Sequence, residues 1–418
     1  MQVRQSLIDF VLQANTCFIG GMYFPFSPGH MLSELDNFLR MRHLGEVPGS
    51  RPYLGVYKPS IVNLPVHLNA AFPSIFGRTT GVQLLEDEAL FQESLELQLV
   101  LPKCSVDVGL SHFKIALPAG CDHREAKLME GGGPRSPFWV ISQRMLAEAN
   151  MSWYRRRFES KDFQPWHAVA PLAPELAEFI GGNPSNIALL HARYVNRAGA
   201  DNAGVAPAAE DLLPTIYHLR ERGYTVVKLG VEICPGEWVR AGVVDYSASP
   251  HRSFFNDLCL IGVAKLAIYN GTGLCTLSDV LGTPMVSYGH WHLPWMPQSE
   301  RSVVIPALMR SKETGRVLRF SEQINFYRQS SELWEPGNAI NFPNATHAPL
   351  APSAADILAG VTEALTLAGN AIPEPTYLQE RFHSLERNGY HRYCQGRVSN
   401  AFLERYQDGL DDGVGSGA

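Results

Sequence analysis

Apolar residues in the second half of the chain fall in short continuous runs separated by amphipathic stretches. Ile187-Ala-Leu-Leu-His-Ala-Arg193, Thr225-Val-Val-Lys-Leu-Gly230 and Leu266-Ala-Ile-Tyr269 have strand length and no helical period. Between them, Ala208–Arg222 places Leu212, Leu213, Ile216 and Leu219 on one helical face, with Gly223 as a stop. Pro214 predicts a kink or a late start for that helix. Val243–Tyr246 reads as a short strand, Ser253–Lys265 as a helix and Met285-Val-Ser287 as the next strand. This alternation predicts an α/β fold, with a parallel sheet covered by helices on both faces. Ligands of such sheets bind beyond the carboxyl ends of the strands, so Arg193, Gly230 and Asn270–Gly273 are predicted to share one rim.

The first half repeats the alternation less clearly. Val3–Ala14 reads as helical, Cys17–Gly20 as a strand, and His30–His43 as an amphipathic helix carrying Met31, Leu35, Phe38, Leu39 and Arg42. Pro52–Tyr57 and Thr80–Leu85 read as strands and Asn63–Phe76 as helical; residues 100–140 are rich in Gly and Pro and predict no regular element. Gly131-Gly-Gly133 reads as a loop, since no Gly-Lys-Ser/Thr follows it. Gly181-Gly-Asn-Pro184 reads as a linker and Pro373-Glu-Pro375 as a second break. The predicted organisation is 1–180, 181–372, and a helical segment over 373–418, helical from Tyr377 to Gln407 with a frayed Gly/Asp-rich tail.

The stretch with the most chemistry is Asn270-Gly271-Thr272-Gly273, between a buried strand and a short helix that Gly282-Thr283-Pro284 stops. A glycine turn lets backbone approach a ligand, and a helix N-terminus offers unpaired N–H groups and partial positive charge, a natural seat for phosphate. A bare chain reversal is the competing reading. A dinucleotide fingerprint needs a third glycine where this chain has Thr276, which argues against a nicotinamide cofactor. His191-Ala-Arg193 ends the neighbouring run: Arg193 offers a fork of donors for a diphosphate, and His191 shares its face. A rim salt bridge for the arginine and a core role for the histidine compete with that reading. His30 and Glu34 lie one helical turn apart, beside Asp36, at the edge of the first predicted strand. Either His30 or a carboxylate there can take a proton from a hydroxyl, against the alternative of capping and ordinary helix surface. His290-Trp-His292 lacks a third ligand at metal spacing, and no zinc, P-loop or nucleophile-elbow motif occurs.

Bulk composition narrows the classes. A chain of 418 residues predicts two domains. Hydrophobic content of 45% with 18% charged residues is that of a globular protein, and a net charge of −6 argues against a nucleic-acid partner. The basic run Arg155-Arg-Arg157 reads as a solvated face. Seven widely spaced cysteines without Cys-x-x-Cys read as buried thiols in a reducing compartment. Met1–Ala14 lacks the apolar core of a signal peptide, and no apolar window has membrane-spanning length. A cytoplasmic location follows as an expectation, compatible with peripheral attachment at the inner face of the membrane.

Thr272-Gly273-Leu-Cys-Thr-Leu-Ser-Asp-Val-Leu-Gly282-Thr-Pro284 resembles the Ser/Thr-Gly-x-x-His-Leu-x-x-x-Leu-Gly-x-Pro element of heptosyltransferase-like enzymes. It departs from that element at Gly271, where those enzymes carry Asp, and at Thr276, where they carry His. Most of the chain also resembles a bacterial family of glycosyltransferases found with surface-polysaccharide genes. The collinear pieces are Gly29-His30, Leu190-His-Ala-Arg193, Leu219 to Gly230, Val244-Asp-Tyr-Ser247, Ile305-Pro306, Gly315 to Glu322 and Arg397 to Leu403. The His-x-Arg is similar to that of fucosyltransferase-like enzymes, whose arginine contacts the nucleotide diphosphate. The resemblance implies a GT-B fold: two Rossmann-like domains facing across a cleft, with a C-terminal helix crossing back to the first. It implies transfer of a sugar from a nucleotide-activated donor to a saccharide, lipid-linked or other glycan acceptor, with inversion and without a metal or cofactor. His30, Arg193 and Glu34 would be catalytic. His191, Arg193, Asn270, Gly271, Thr272, Gly273 and Thr276 would hold the donor diphosphate. A nucleotide-sugar epimerase or hydrolase, or a non-catalytic sugar-nucleotide-binding protein, are the rival readings.

Overall fold

The computed structural model describes residues 17–21, 36–37, 39–45, 53–57, 82–86, 138–141, 154–165, 171–181, 183–192, 207–230, 232–270, 273–290, 297–325, 346–385 and 395–410. The chain divides into two compact units, Met1–Val169 with Ser253–Phe255, and Ala170–Arg252 with Asn256–Ala418. The division falls ahead of Gly181, so the helix Pro174–Ile180 belongs to the second unit.

The first unit carries four parallel strands: β1 (Cys17–Gly21), β2 (Tyr53–Tyr57), β3 (Val82–Glu86) and β4 (Phe138–Ile141), in the order β3-β2-β1-β4. Three of these are the strands expected from apolar runs. β4 is not: its Phe-Trp-Val-Ile run follows a Gly- and Pro-rich stretch that hid it. The predicted helices Val3–Ala14 and Asn63–Phe76 and the loop Gly131–Gly133 lie outside the described residues.

Two expectations from the sequence do not hold in this unit: Asp36 as helix cap or helix surface, and Arg155–Arg157 as a solvated face. Instead Asp36 is fully buried and accepts from Arg40 Nε at 2.9 Å and from Arg157 Nη1 at 3.3 Å. Arg156 is also fully buried and donates to Asn37 Oδ1 at 2.9 Å. A buried carboxylate is tolerable only when paired, and the helical turn over 154–159 brings two of the three arginines inward to pair it and its neighbour.

The second unit is built on seven strands: β5 (Ile187–His191), β6 (Thr225–Lys228), β7 (Val244–Asp245), β8 (Leu266–Asn270), β9 (Met285–His290), β10 (Val303–Pro306) and, after a separate two-stranded antiparallel sheet of β11 (Leu308–Ser311) and β12 (His347–Leu350), β13 (Arg397–Val398). Every pairing in the seven-stranded sheet is parallel. β5 and β8 are buried along their whole length, as expected of strands covered on both faces. The strand order is β13-β10-β9-β8-β5-β6-β7. The chain therefore lays β6 and β7 to one side of β5, then returns to place β8 on the other.

The helices match their sequence signals. Pro214 marks a late start: a 3-10 turn over Ala209–Leu212 gives way to the helix Leu213–Glu221 with proline in its first turn. The helix Gly273–Leu281 ends in left-handed Gly282, φ +77°, with Thr283 N–H bonded to Ser278 O and Gly282 N–H to Asp279 O.

The single helix expected over Tyr377–Gln407 is interrupted: among the described residues Tyr377–Ser384 and Asn400–Arg405 are helical, with β13 ahead of the latter. Arg397 and Val398 are drawn into the ladder of β10, which interrupts the helical period. Phe382 and Phe402 pack on Phe320 at ring distances of 5.3 and 6.2 Å. Glu363, on the helix Ala354–Gly369, accepts from Asn400 N–H at 2.9 Å and from Gln379 Nε2 at 3.1 Å. The segment is counted with the second unit.

Ser353 caps the helix Ala354–Gly369 with a capping box, exchanging bonds with Asp356, which also binds Arg405. Ser353→Ala is expected to cost about 1 kcal/mol, read as a lowered midpoint in urea unfolding. An unchanged midpoint would show that Asp356 and Arg405 hold the helix end without it.

Candidate functional site

β5 and β8 are neighbours in register, with His191 opposite Tyr269. The chain leaves β5 toward β6 and leaves β8 toward β9, so their connections depart in opposite directions. That is a topological switch point, where a crevice opens at the carboxyl ends of an open parallel sheet. Both sequence-predicted donor elements sit there: His191 closes β5, and Asn270 closes β8, with the helix beginning at Gly273.

Asn270 is buried, Gly273 is exposed and Thr276 is half-buried in the first turns of that helix. Cys275 lies beside them, its Sγ 3.4 Å from Ser287 Oγ on β9. Behind the helix, Ser278 Oγ donates to the Tyr269 hydroxyl at 3.3 Å, and burial pushes the Tyr269 phenol far above the usual tyrosine range. Tyr269 and Tyr288 are wholly buried, and the Tyr288 hydroxyl donates to the His191 carbonyl at 3.3 Å. β8 and β9 thus each carry a buried, neutral phenol held by a hydrogen bond.

His191 is buried and turned toward the next strand's loop. Its Nε2 lies 3.1 Å from Glu232 Oε2 as an N–H donor to the carboxylate. Its ring meets Tyr269 edge-on at 6.3 Å. Lys228, at the end of β6, is fully buried and its ammonium donates to the Glu232 backbone carbonyl. Burial lowers the Lys228 ammonium, with Glu232 and Asp245 opposing. For Glu232, burial alone would raise the carboxyl, but the His191 hydrogen bond and charge, then its own backbone N–H and Lys228, outweigh it and hold it at about 2. Gly230, φ +94°, is what lets these groups meet: a Cβ there would lie 2.3 Å from His191 Cδ2 and 2.7 Å from Glu232 Oε2. The Cys234 thiol next to this cluster is buried and pushed up to about 11, so it is not a thiolate.

Asp257, in the first turn of the helix Phe254–Val263, is a third carboxyl at this edge. Burial pushes it up to about 6, against the Tyr246 hydrogen bond and the Arg252 charge. Neither Glu232 nor Asp257 was picked out from the sequence. Glu232 has a weak signal, an acid two residues beyond a strand-ending glycine; Asp257 reads as an ordinary first-turn helix acid.

Of the predicted site, His191, Asn270, Gly273 and Thr276 come together at the switch point. Arg193, Gly271, Thr272, His30 and Glu34 lie outside the described residues, as does His292. Among the described residues, no group of three His, Cys, Asp or Glu is arranged to hold a metal ion, and no helix is long and apolar enough to cross a membrane.

No family model and no curated protein sequence matches the chain. Among solved structures it is similar to the E. coli heptosyltransferase WaaC with ADP, at 14% identity over 69% of this chain and 90% of that one, with a TM-score of 0.34. A glycosyl transferase family 9 protein from Veillonella parvula is 12% identical over 84% of this chain and 96% of that one, with a TM-score of 0.42. A Listeria monocytogenes protein described as a UDP-N-acetylglucosamine 2-epimerase is 10% identical over 86% of this chain and 99% of that one, with a TM-score of 0.29.

Proposed function

We propose that the protein is a glycosyltransferase of the GT-B type that moves a sugar from a nucleotide-activated donor to an acceptor hydroxyl. The observation that carries this is the switch point between β5 and β8, where a buried histidine ends one strand and a helix begins three residues after the other. The donor diphosphate sits on Asn270, Gly271, Thr272 and Gly273 and the N–H groups of the following helix, with Thr276 in its first turns. Arg193, two residues beyond His191, neutralises the charge that develops as the bond between the anomeric carbon and the diphosphate breaks. The electron pair of that bond leaves with the nucleoside diphosphate. The acceptor oxygen forms the new bond from the opposite face, and its proton passes to His30, with Glu34 one turn away. With a guanidinium and a helix end balancing the leaving group, this mechanism needs no metal. The sequence resemblance to surface-polysaccharide glycosyltransferases supports a glycan acceptor and a place at the inner face of the cytoplasmic membrane.

A thermal-shift screen over nucleoside diphosphates and nucleotide sugars tests the reading. A ligand at about 100 times its dissociation constant stabilises by about 2.7 kcal/mol, so at least one nucleotide is expected to raise the melting temperature. The same nucleotide should slow alkylation of Cys275, followed by mass spectrometry of its peptide, because that thiol lies in the first turn of the anion-binding helix. No shift with any nucleotide at millimolar concentration would sink the proposal. A shift without protection of Cys275 would move the diphosphate to another part of the protein.

A further inference from the structure

The His191–Glu232 pair is more elaborate than an anion site of backbone N–H groups requires. Glu232 is fixed at three points. Its carboxylate takes the His191 N–H, its carbonyl takes the Lys228 ammonium, and Gly230 clears the space through which the two side chains meet. His191 is fixed as well, by Tyr288 on its carbonyl and by the edge of Tyr269 against its ring. We propose that Glu232 is a positioning residue that turns the His191 imidazole and favours its protonated form, making the end of β5 a cation for a phosphate group below the His191 midpoint. This role deepens the glycosyltransferase reading, and rests on it for the identity of the anion.

The groups around the pair are of both signs. Lys228 of β6 and Arg252 are basic; Glu232 of the β6 loop, Asp245 of β7 and Asp257 of the helix Phe254–Val263 are carboxyls, the last pushed up to about 6 by burial. The groups facing from β8 and β9, Tyr269 and Tyr288, are neutral phenols. A carboxylate at 3.1 Å favours the protonated imidazole, and the depressed Glu232 carboxyl is the same coupling seen from its partner.

The test tracks the imidazole resonances of the full-length protein by NMR between pH 5 and 9 (a range of about four units around an ordinary histidine), with His191→Asn to assign the signal. In E232Q, which keeps the shape and loses the charge, the His191 midpoint is expected to fall by about one unit or more; in E232D it should fall less. In parallel, the affinity for the nucleoside diphosphate selected by the thermal-shift screen is measured against pH. Wild-type affinity should drop about tenfold or more as pH rises past the His191 midpoint, and the drop should move to lower pH in E232Q. A midpoint that is the same in the wild type and both variants overturns the proposal. A midpoint that moves in a protein that binds no nucleotide leaves Glu232 as the positioning residue and refutes the glycosyltransferase reading instead. Should E232Q fail to fold, the E232D midpoint alone decides.

Discussion

Gly230→Ala is expected to be strongly destabilising. The residue sits at φ +94°, in the left-handed region, where a Cβ costs about 1–2 kcal/mol. The added atom would also lie 2.3 Å from His191 Cδ2, 2.6 Å from His191 Nε2 and 2.7 Å from Glu232 Oε2, well inside contact distance. Neither neighbour is free to yield. His191 is buried between β8 and the β6 loop, and Glu232 is held through its carbonyl by Lys228. Forcing such groups apart costs about 1–3 kcal/mol by itself. The two together predict a loss of about 2–5 kcal/mol, read by equilibrium urea unfolding. The ion pair should be lost as well. In the wild type that pair contributes fully between the ordinary carboxylate range and the His191 midpoint and fades as pH falls toward the Glu232 value of about 2, so the variant should lose stability less steeply between pH 5 and 3 (about the span below an ordinary carboxylate). A variant within about 0.5 kcal/mol of wild type, the range of an ordinary surface change, would show that the loop relaxes and that the geometry at Gly230 is not restrictive.

The second large effect belongs to the chemistry. Arg193→Ala is expected to lower donor turnover by about 10²–10³-fold while leaving the fold intact, since a donor aimed at developing charge contributes on that scale. The assay uses the nucleotide sugar that gives the largest thermal shift, and circular dichroism checks the fold. His30→Ala is the contrast: transfer should fall by about 10²–10⁴-fold while the nucleoside diphosphate still binds, because the base acts on the acceptor proton and not on the donor. Unchanged turnover in Arg193→Ala removes the leaving-group role from this arginine and with it the mechanism. Lost nucleotide binding in His30→Ala would make His30 a donor ligand and not a base.

Much of the second unit is legible in its sequence, because its strands are buried on both faces and therefore read as continuous apolar runs. Ile187–His191 and Leu266–Asn270 are identified from such runs alone. The stops are legible for an equally local reason: Gly282 and Pro214 act through their own backbone constraints. Elements that depend on distant partners are not. β4 follows a Gly- and Pro-rich stretch and is a strand because β1 pairs with it, and β13 exists because β10 draws Arg397 and Val398 out of a helical pattern. The burial of Arg156 and Asp36 reverses the surface reading for the same reason, since a charge run is solvated unless the fold supplies the opposite charge.

The candidate site divides along the same line. Asn270, Gly273, Thr276 and His191 carry signals of their own, a glycine turn before a helix and polar residues ending a strand, and sequence by itself determines that His191 and Asn270 end strands and that Gly273 and Thr276 open a helix. It does not determine that β5 and β8 are neighbours, because strand order is set by which faces pack and not by chain position. Nor does it show Glu232 reaching across Gly230 to His191, or the buried Lys228 holding the Glu232 carbonyl. Residue type and local backbone preference are properties of short segments and can be read from them. The switch point and its charge cluster are made by groups far apart in the chain: His191 meets the Glu232 carboxylate 41 positions away and the Tyr288 hydroxyl 97 positions away. Only the tertiary fold brings such groups within bonding distance, because no local preference acts over that separation.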